Sequence, residues 1–229
     1  VEPDSNQKLP PFQAGVRSYE IRSGRMRPSR KHALEHFSTL YMLPPQPTEW
    51  LGWYQGFAVR LLEIGFGMGH ATLQLAQNNP QWGILGLEVH PPGLARVLKS
   101  IHELQLSNLR VVRADAQLVL PLLPNQVLDG VLVYFPDPWP KRRHHRRRLV
   151  QEPFVMLLER ILKPGGFLNF VTDWEPYALE VRELLLRRGW ALEGESWSER
   201  PSWRPPTKFE QRALDEGRPI FELVAHPSV

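Results

Sequence analysis

The stretch LLEIGFGMGHA, Leu61–Ala71, decides the fold. An apolar run of strand character ends in three alternating glycines, Gly65, Gly67 and Gly69, and HATLQLAQNN then takes up helical spacing. Strand, glycine loop and helix in that order open a nucleotide-type βαβ unit, where glycines allow a tight turn and close approach of a ligand to the backbone. A dinucleotide fingerprint needs its third glycine at position 70, which is His70. The observed spacing is G-x-G-x-G with Glu63 two residues ahead of it.

Working outward, VRLLEIG, GILGLEV, LRVVRAD, DGVLVYF and GFLNFVT read as strands separated by amphipathic stretches such as PGLARVLKSIHELQL. That alternation predicts an α/β fold with a doubly wound, mostly parallel sheet. WALEGESW and PIFELVAH are two further strand-like runs, read as an antiparallel C-terminal hairpin, and PSWRPPTKFEQRALDEGRP between them reads as a long loop. Residues 1–50 read as a basic N-terminal arm or lid, with a possible helix around SRKHALEHFSTLYML. Residues 51–229 read as one domain.

Two more acids fall in register with the glycine loop. Glu88 ends the second strand about 20 residues after it, where an acid accepts from two ribose hydroxyls, and Asp115 closes the third strand, placed to accept from an adenine amino group. S-adenosylmethionine (SAM) fits this set better than a nicotinamide dinucleotide. It carries no phosphate for a helix N-terminus to hold, and its cationic amino-acid end gains from a carboxylate such as Glu63. A glycine turn followed by two solvated strand-end acids is the plain alternative for each feature alone.

The bulk composition narrows the partners. The chain has 229 residues, no cysteine and a formal net charge of +4, of which Lys141–Arg148 alone supplies +6. The basicity is local, as in a docking patch for a polyanion. Disulfides and cysteine-ligated zinc are excluded, and no apolar run approaches the roughly 18 residues of a spanning helix. A cytoplasmic protein with neither membrane nor metal partner is expected, with monomer and homodimer both open.

The local charge follows an unusual turn, YFPDPWPKRRHHRRR, Tyr134–Arg148. Pro136, Pro138 and Pro140 fix φ at alternate positions, so Asp137 and Trp139 sit on a stiff turn after the fourth strand, at the sheet edge that binds ligands. Trp139 offers a stacking face, and the basic run is expected to open a helix. A basic run by itself is more often a solvated face. Its adjacency to Asp137 places phosphate-gripping groups beside a positioned acid.

EIGFGMG, GLEVH, FPDPWPKRRHHRRR, TDWEPYA and TKFEQRALDEGRPIFEL, with RSYEIRSGRM before them, together resemble the bacterial tRNA (guanine-N7-)-methyltransferase family, from about Arg17 to Leu223. The resemblance implies a Rossmann-like class I SAM-dependent methyltransferase fold with a seven-stranded sheet. It implies action on a guanine of the tRNA variable loop, position 46 in standard tRNA numbering. It further implies that Glu63, Gly65, Gly67, Gly69, Glu88, Asp115 and Asp137 bind the cofactor, with Asp137 also the catalytic acid. Lys141, Asp173, Thr207, Lys208, Phe209 and Glu210 match substrate-binding positions, and Arg143, His144, His145, Arg146, Arg147 and Arg148 the RNA-contacting run. From the residues alone, Asp173 is equally well a helix N-cap, and TKFE a polar surface loop. An amino-group nucleobase methyltransferase and a non-catalytic RNA-binding protein remain as alternatives. Against the first, Trp139 stands where a D/N-P-P-Y/F/W loop has its second proline.

Overall fold

Strand β1 (Val59–Ile64) has four consecutive buried residues at its C-terminal end, the signature of a central strand covered on both faces. The computed structural model describes residues 17–19 and 26–228, so the rest of the expected arm, including residues 20–25 of RSYEIRSGRM, lies outside the described residues. On one side of β1 lie the parallel strands β2 (Trp82–Leu87) and β3 (Leu109–Val112), and on the other β4 (Leu128–Tyr134) and β5 (Leu162–Thr172). Strand β7 (Phe221–His226) runs antiparallel to β5 and to the two-residue β6 (Ala191–Leu192). The order is 3-2-1-4-5-7-6, the expected seven-stranded, mostly parallel sheet with antiparallel C-terminal strands. It reverses between β1 and β4, which opens a crevice beyond their C-terminal ends.

Successive strand residues point to opposite faces. Leu61 accordingly joins a core with Leu73, Leu94 and Val97, contributed by α3 (His70–Asn78) and α4 (Pro91–Glu103). Leu62 joins the core on the other face, with Phe154 of α6 (Glu152–Ile161) and Tyr177 of α7 (Glu175–Arg187). Among the described residues five α-helices carry proline at their first or second position, where the missing N–H costs nothing. Six of the 23 prolines thus start helices rather than breaking them.

Three expectations change. The folded body begins before residue 51. Helix α1 (Pro28–Tyr41) buries Ala33 and stacks Phe37 on His102 of α4, and α2 (Pro47–Tyr54) buries Trp50 and Tyr54, whose hydroxyl donates to the Leu61 carbonyl. The segment between β6 and β7 is not all loop, because α8 (Lys208–Asp215) forms within it. Its signal was the spacing Thr207-x-x-Glu210, a capping box in which the Thr207 hydroxyl accepts from the Glu210 N–H and the Glu210 carboxylate from the Thr207 N–H. Finally, the basic run forms a 3-10 turn over Arg142–Arg147, and α6 starts separately at Glu152, after Arg148 and Val150 have turned into the core. Among the described residues no helix is long and apolar enough to cross a membrane.

Candidate active site

Between β1 and α3 the glycine loop is held from behind and open in front. A Cβ added at Gly69 would overlap Val97 of α4, and one at Gly93 would overlap the Gly67 carbonyl, whereas Gly67 itself, at φ +55°, faces open space. Glu88, at the end of β2, ties the loop down. Its carboxylate accepts from the N–H groups of Gly67 at 2.7 Å, Val89 at 2.7 Å and His90 at 2.9 Å. Those bonds use three of about four acceptor sites on a carboxylate, so Glu88 is first a buried strut of the loop, with about one site left for a ribose hydroxyl. Asp115 caps α5 (Ala116–Val119) by accepting from Gln117 N–H at 2.9 Å. Its charge also helps burial raise the pKa of the Tyr19 phenol.

Two connected depressions lie in front of the loop. One, of about 410 Å³, is lined by Glu88, Asp115 and Asp137 together with Ser18 and Tyr19 of the N-terminal segment. The other, of about 260 Å³, is lined by Glu63, Gly69, His70, Thr207 and Lys208. Gly65, Tyr134, Phe135 and Phe209 border both. Two buried polar atoms at this junction have no hydrogen-bond partner among the described residues, Glu63 Oε2 and the Tyr134 hydroxyl. Burial raises the Glu63 carboxyl to about 7; the Glu88 charge adds to this and the nearby Thr72 hydroxyl partly offsets it. Burial, with Glu63 adding, also places the Tyr134 phenol well above 10. Orphaned buried polar atoms require explanation, and a ligand ammonium group is the partner a buried carboxylate lacks. The cleft therefore fits SAM in size, backbone access and charge. Tyr134 was missed in the sequence because it reads as an ordinary strand residue.

The turn after β4 carries backbone strain beyond the stiffness its prolines supply. Phe135 and Trp139 both lie at positive φ, +50° and +47°, a conformation bulky residues rarely adopt and one that clusters at functional sites. Between them Asp137 is exposed at the rim of the larger depression. The expected stacking role of Trp139 is corrected. Trp139 is buried, its indole N–H donates to the Ser18 carbonyl, and the Arg147 guanidinium covers its ring at 3.5 Å. The aromatic surface that does face the cleft is Phe209 of α8, exposed and stacked on Phe135 with ring centres 6.0 Å apart.

The basic run is divided in the same manner. Lys141, Arg142, Arg143 and Arg146 are exposed, and His144 and His145 half-buried. Arg147, besides covering Trp139, donates to the Arg17 and Tyr19 carbonyls. Arg148, expected to contact RNA, is instead 1% exposed; it donates to the Pro138 carbonyl, pairs with Glu180 of α7 and lies over Tyr177. It props the Asp137 turn from below.

The floor beneath α8 is a buried ion network that the sequence did not announce. Arg204 is fully buried and pairs with Glu210 at 2.8 Å and Glu222 at 2.7 Å, while Asn169 of β5 donates to Glu222. Burial pushes Glu222 up despite Arg204. At Glu210 burial acts in the same direction, but the Arg204 bonds outweigh it and the carboxyl is lowered. Glu210 is thereby committed to Arg204, Arg200 and the helix cap, leaving Lys208 and Phe209 as the exposed part of TKFE. Asp173 does not cap α7, whose N-cap position is Trp174; it pairs with Arg218. Among the described residues no cluster of His, Asp and Glu is arranged to hold a metal ion.

A family model described as "Putative methyltransferase" matches residues 58–223. A tRNA (guanine-N(7)-)-methyltransferase from Nitrosospira multiformis is 43% identical over 220 residues, covering 91% of this chain and 93% of that one. One from Cupriavidus necator is 41% identical over 216 residues, covering 91% and 82%. Among solved structures, the 16S rRNA methyltransferase KamB superposes with a TM-score of 0.58 at 17% identity, covering 80% of this chain and 94% of that chain. A SAM-dependent methyltransferase from Aquifex aeolicus gives 0.51 at 16%, covering 88% and 98%. At these identities the two structures establish the fold alone.

Proposed function

The chain belongs to the tRNA (guanine-N7-)-methyltransferase family, and from that premise we propose how its residues share the work of methylating N7 of a guanine in the tRNA variable loop. The observation that carries the reading is the junction of the two depressions. There a buried carboxylate with one oxygen that has no partner among the described residues, and a phenol in the same position, sit within one cleft whose rim holds a proline-fenced aspartate.

Glu63 and Tyr134 would receive the cofactor's ammonium group, Glu88 a ribose hydroxyl and Asp115 the adenine amino group, with the open face of Gly65 and Gly67 against the cofactor. SAM supplies an electrophilic methyl on a sulfonium. Guanine N7 attacks with a lone pair and has no proton to lose, so the protein's task is alignment rather than proton removal. Phe209, resting on Phe135, gives the base a stacking face. Asp137 accepts from guanine N1–H and the 2-amino group and stabilises the positive charge that grows on the ring. Lys141, Arg143 and Arg146 face outward beside it to take phosphates. Asp173, Thr207 and Glu210 serve the substrate through the loops and helix they hold in place.

Incubation with labelled SAM and bulk tRNA, followed by nucleoside mass spectrometry, tests the reading. It predicts 7-methylguanosine from unmodified tRNA and no product from tRNA carrying 7-deazaguanine at the target. Methylation of that analogue at any position would refute the N7 mechanism.

A further inference from the structure

A second cationic face lies on the glycine-loop side of the cleft, on elements unrelated to the basic run. Arg96 on α4 and Lys208 at the start of α8 flank His70, the first residue of α3, and Arg30 in the first turn of α1, which packs against α4, lies near Arg96. His70 lines the smaller depression together with Lys208, and a shallow neighbouring depression together with Arg96. Arg96 is anchored by donating to the Met68 carbonyl in the glycine loop. Arg30 and Lys208 are exposed and Arg96 is half-buried.

Among the described residues none of these three cations pairs with a carboxylate, while their neighbours Lys31 and Lys99 pair with Glu35 and Glu103. The charges are close enough to act on one another. Burial, then Arg30, lowers the Arg96 pKa, and burial, then Arg96 and Lys208, lowers that of His70. Cations brought together from three helices without counter-charge repel one another, a cost that a polyanion relieves.

We propose that this face is a second phosphate-binding rim for the tRNA. The RNA then straddles the cleft, with Arg143 and Arg146 gripping backbone on one side, Arg30, Arg96 and Lys208 on the other, and the target guanine entering between them at Phe209. The inference rests on the functional reading above and adds a site to it. The cofactor's carboxylate is the competing ligand for these cations, so the test measures both ligands.

The salt dependence of tRNA affinity is measured for the wild type, for Arg30→Gln/Lys208→Gln, for Arg143→Ala/Arg146→Ala and for the quadruple variant. At about 0.7 in log–log slope per phosphate contact, each double variant should flatten the slope by about 1.4 and the quadruple by about twice that. Binding of the demethylated cofactor to Arg30→Gln, measured by calorimetry, should be unchanged. A wild-type slope in Arg30→Gln/Lys208→Gln overturns the second rim. So does a quadruple variant no flatter than Arg143→Ala/Arg146→Ala. A loss of cofactor affinity with the slope retained also overturns it, because the cations would then belong to the cofactor's carboxylate. A wild type that yields no 7-methylguanosine refutes the functional reading instead, and the slopes still judge the rim independently.

Discussion

The two halves of the cleft are built from different materials. On the β1–β2 side the ligand surface is backbone: a glycine loop whose N–H is fixed by Glu88, wedged from behind by α4 and fronted by open space. On the β4–β5–β7 side it is side chain. Arg204 is locked between Glu210 and Glu222, Arg148 between the Asp137 turn and Glu180, and Arg147 lies flat on Trp139. A backbone surface demands glycines at set spacings, so it leaves a signature that reads directly. A side-chain surface depends on which of many similar residues turn inward.

The largest test of this contrast is Arg204→Ala. If the base-binding half stands on its buried ion network, removing the shared cation strands two buried carboxylates and should lower unfolding free energy by about 3–5 kcal/mol, measured by urea denaturation. A loss under about 1 kcal/mol would mean that α8 holds itself in place.

The backbone half has its own stored cost in Glu63. Its pKa is about 7 in the folded protein against an ordinary value of 4.5, so between those values the folded state keeps a proton that the unfolded state releases. Stability of the cofactor-free protein therefore falls as pH rises through that window, by about 3 kcal/mol at most at 1.36 kcal/mol per unit. Glu63→Gln should remove this slope relative to wild type. Binding an ammonium group favours the ionised carboxylate, so wild-type affinity for the demethylated cofactor should rise with pH and level off above about 7. An identical pH dependence in Glu63→Gln would detach the orphaned carboxylate from cofactor binding.

Asp137 probes the join between the halves. Asp137→Ala should reduce turnover on the order of 10²-fold, the size of losing one preorganised electrostatic group, with a smaller loss of cofactor affinity, read from single-turnover rates and calorimetry. Equal losses in both would move Asp137 to the cofactor's half.

The smallest effects separate neighbours within the basic run. Arg148→Ala removes a buried, paired guanidinium and should cost about 1–3 kcal/mol of stability, whereas Arg146→Ala, on the surface, should stay within about 0.5 kcal/mol. Thermal unfolding of both variants in one buffer decides this, and equal values would dissolve the inner-outer division.

By itself the sequence determined the sheet, its parallel character and the order of its ligand-edge acids. Apolar period and glycine spacing are local consequences of strand pleat and of positive φ, and Glu63, Glu88, Asp115 and Asp137 all lie at the cleft where their strand ends put them. The Thr207-x-x-Glu210 spacing is present in the sequence, but its Pro-rich surroundings read as a loop, and its meaning as the start of α8 came only with the fold. Only the tertiary structure decided which cations are surface and which are struts. Arg146 and Arg148 are chemically identical and two residues apart, yet one is exposed and the other is 1% exposed. It likewise decided that Trp139 is consumed by Arg147 while Phe209 faces the cleft. Burial and pairing of a long charged side chain depend on partners such as Glu180 and Glu222, distant in sequence, and no local pattern encodes them.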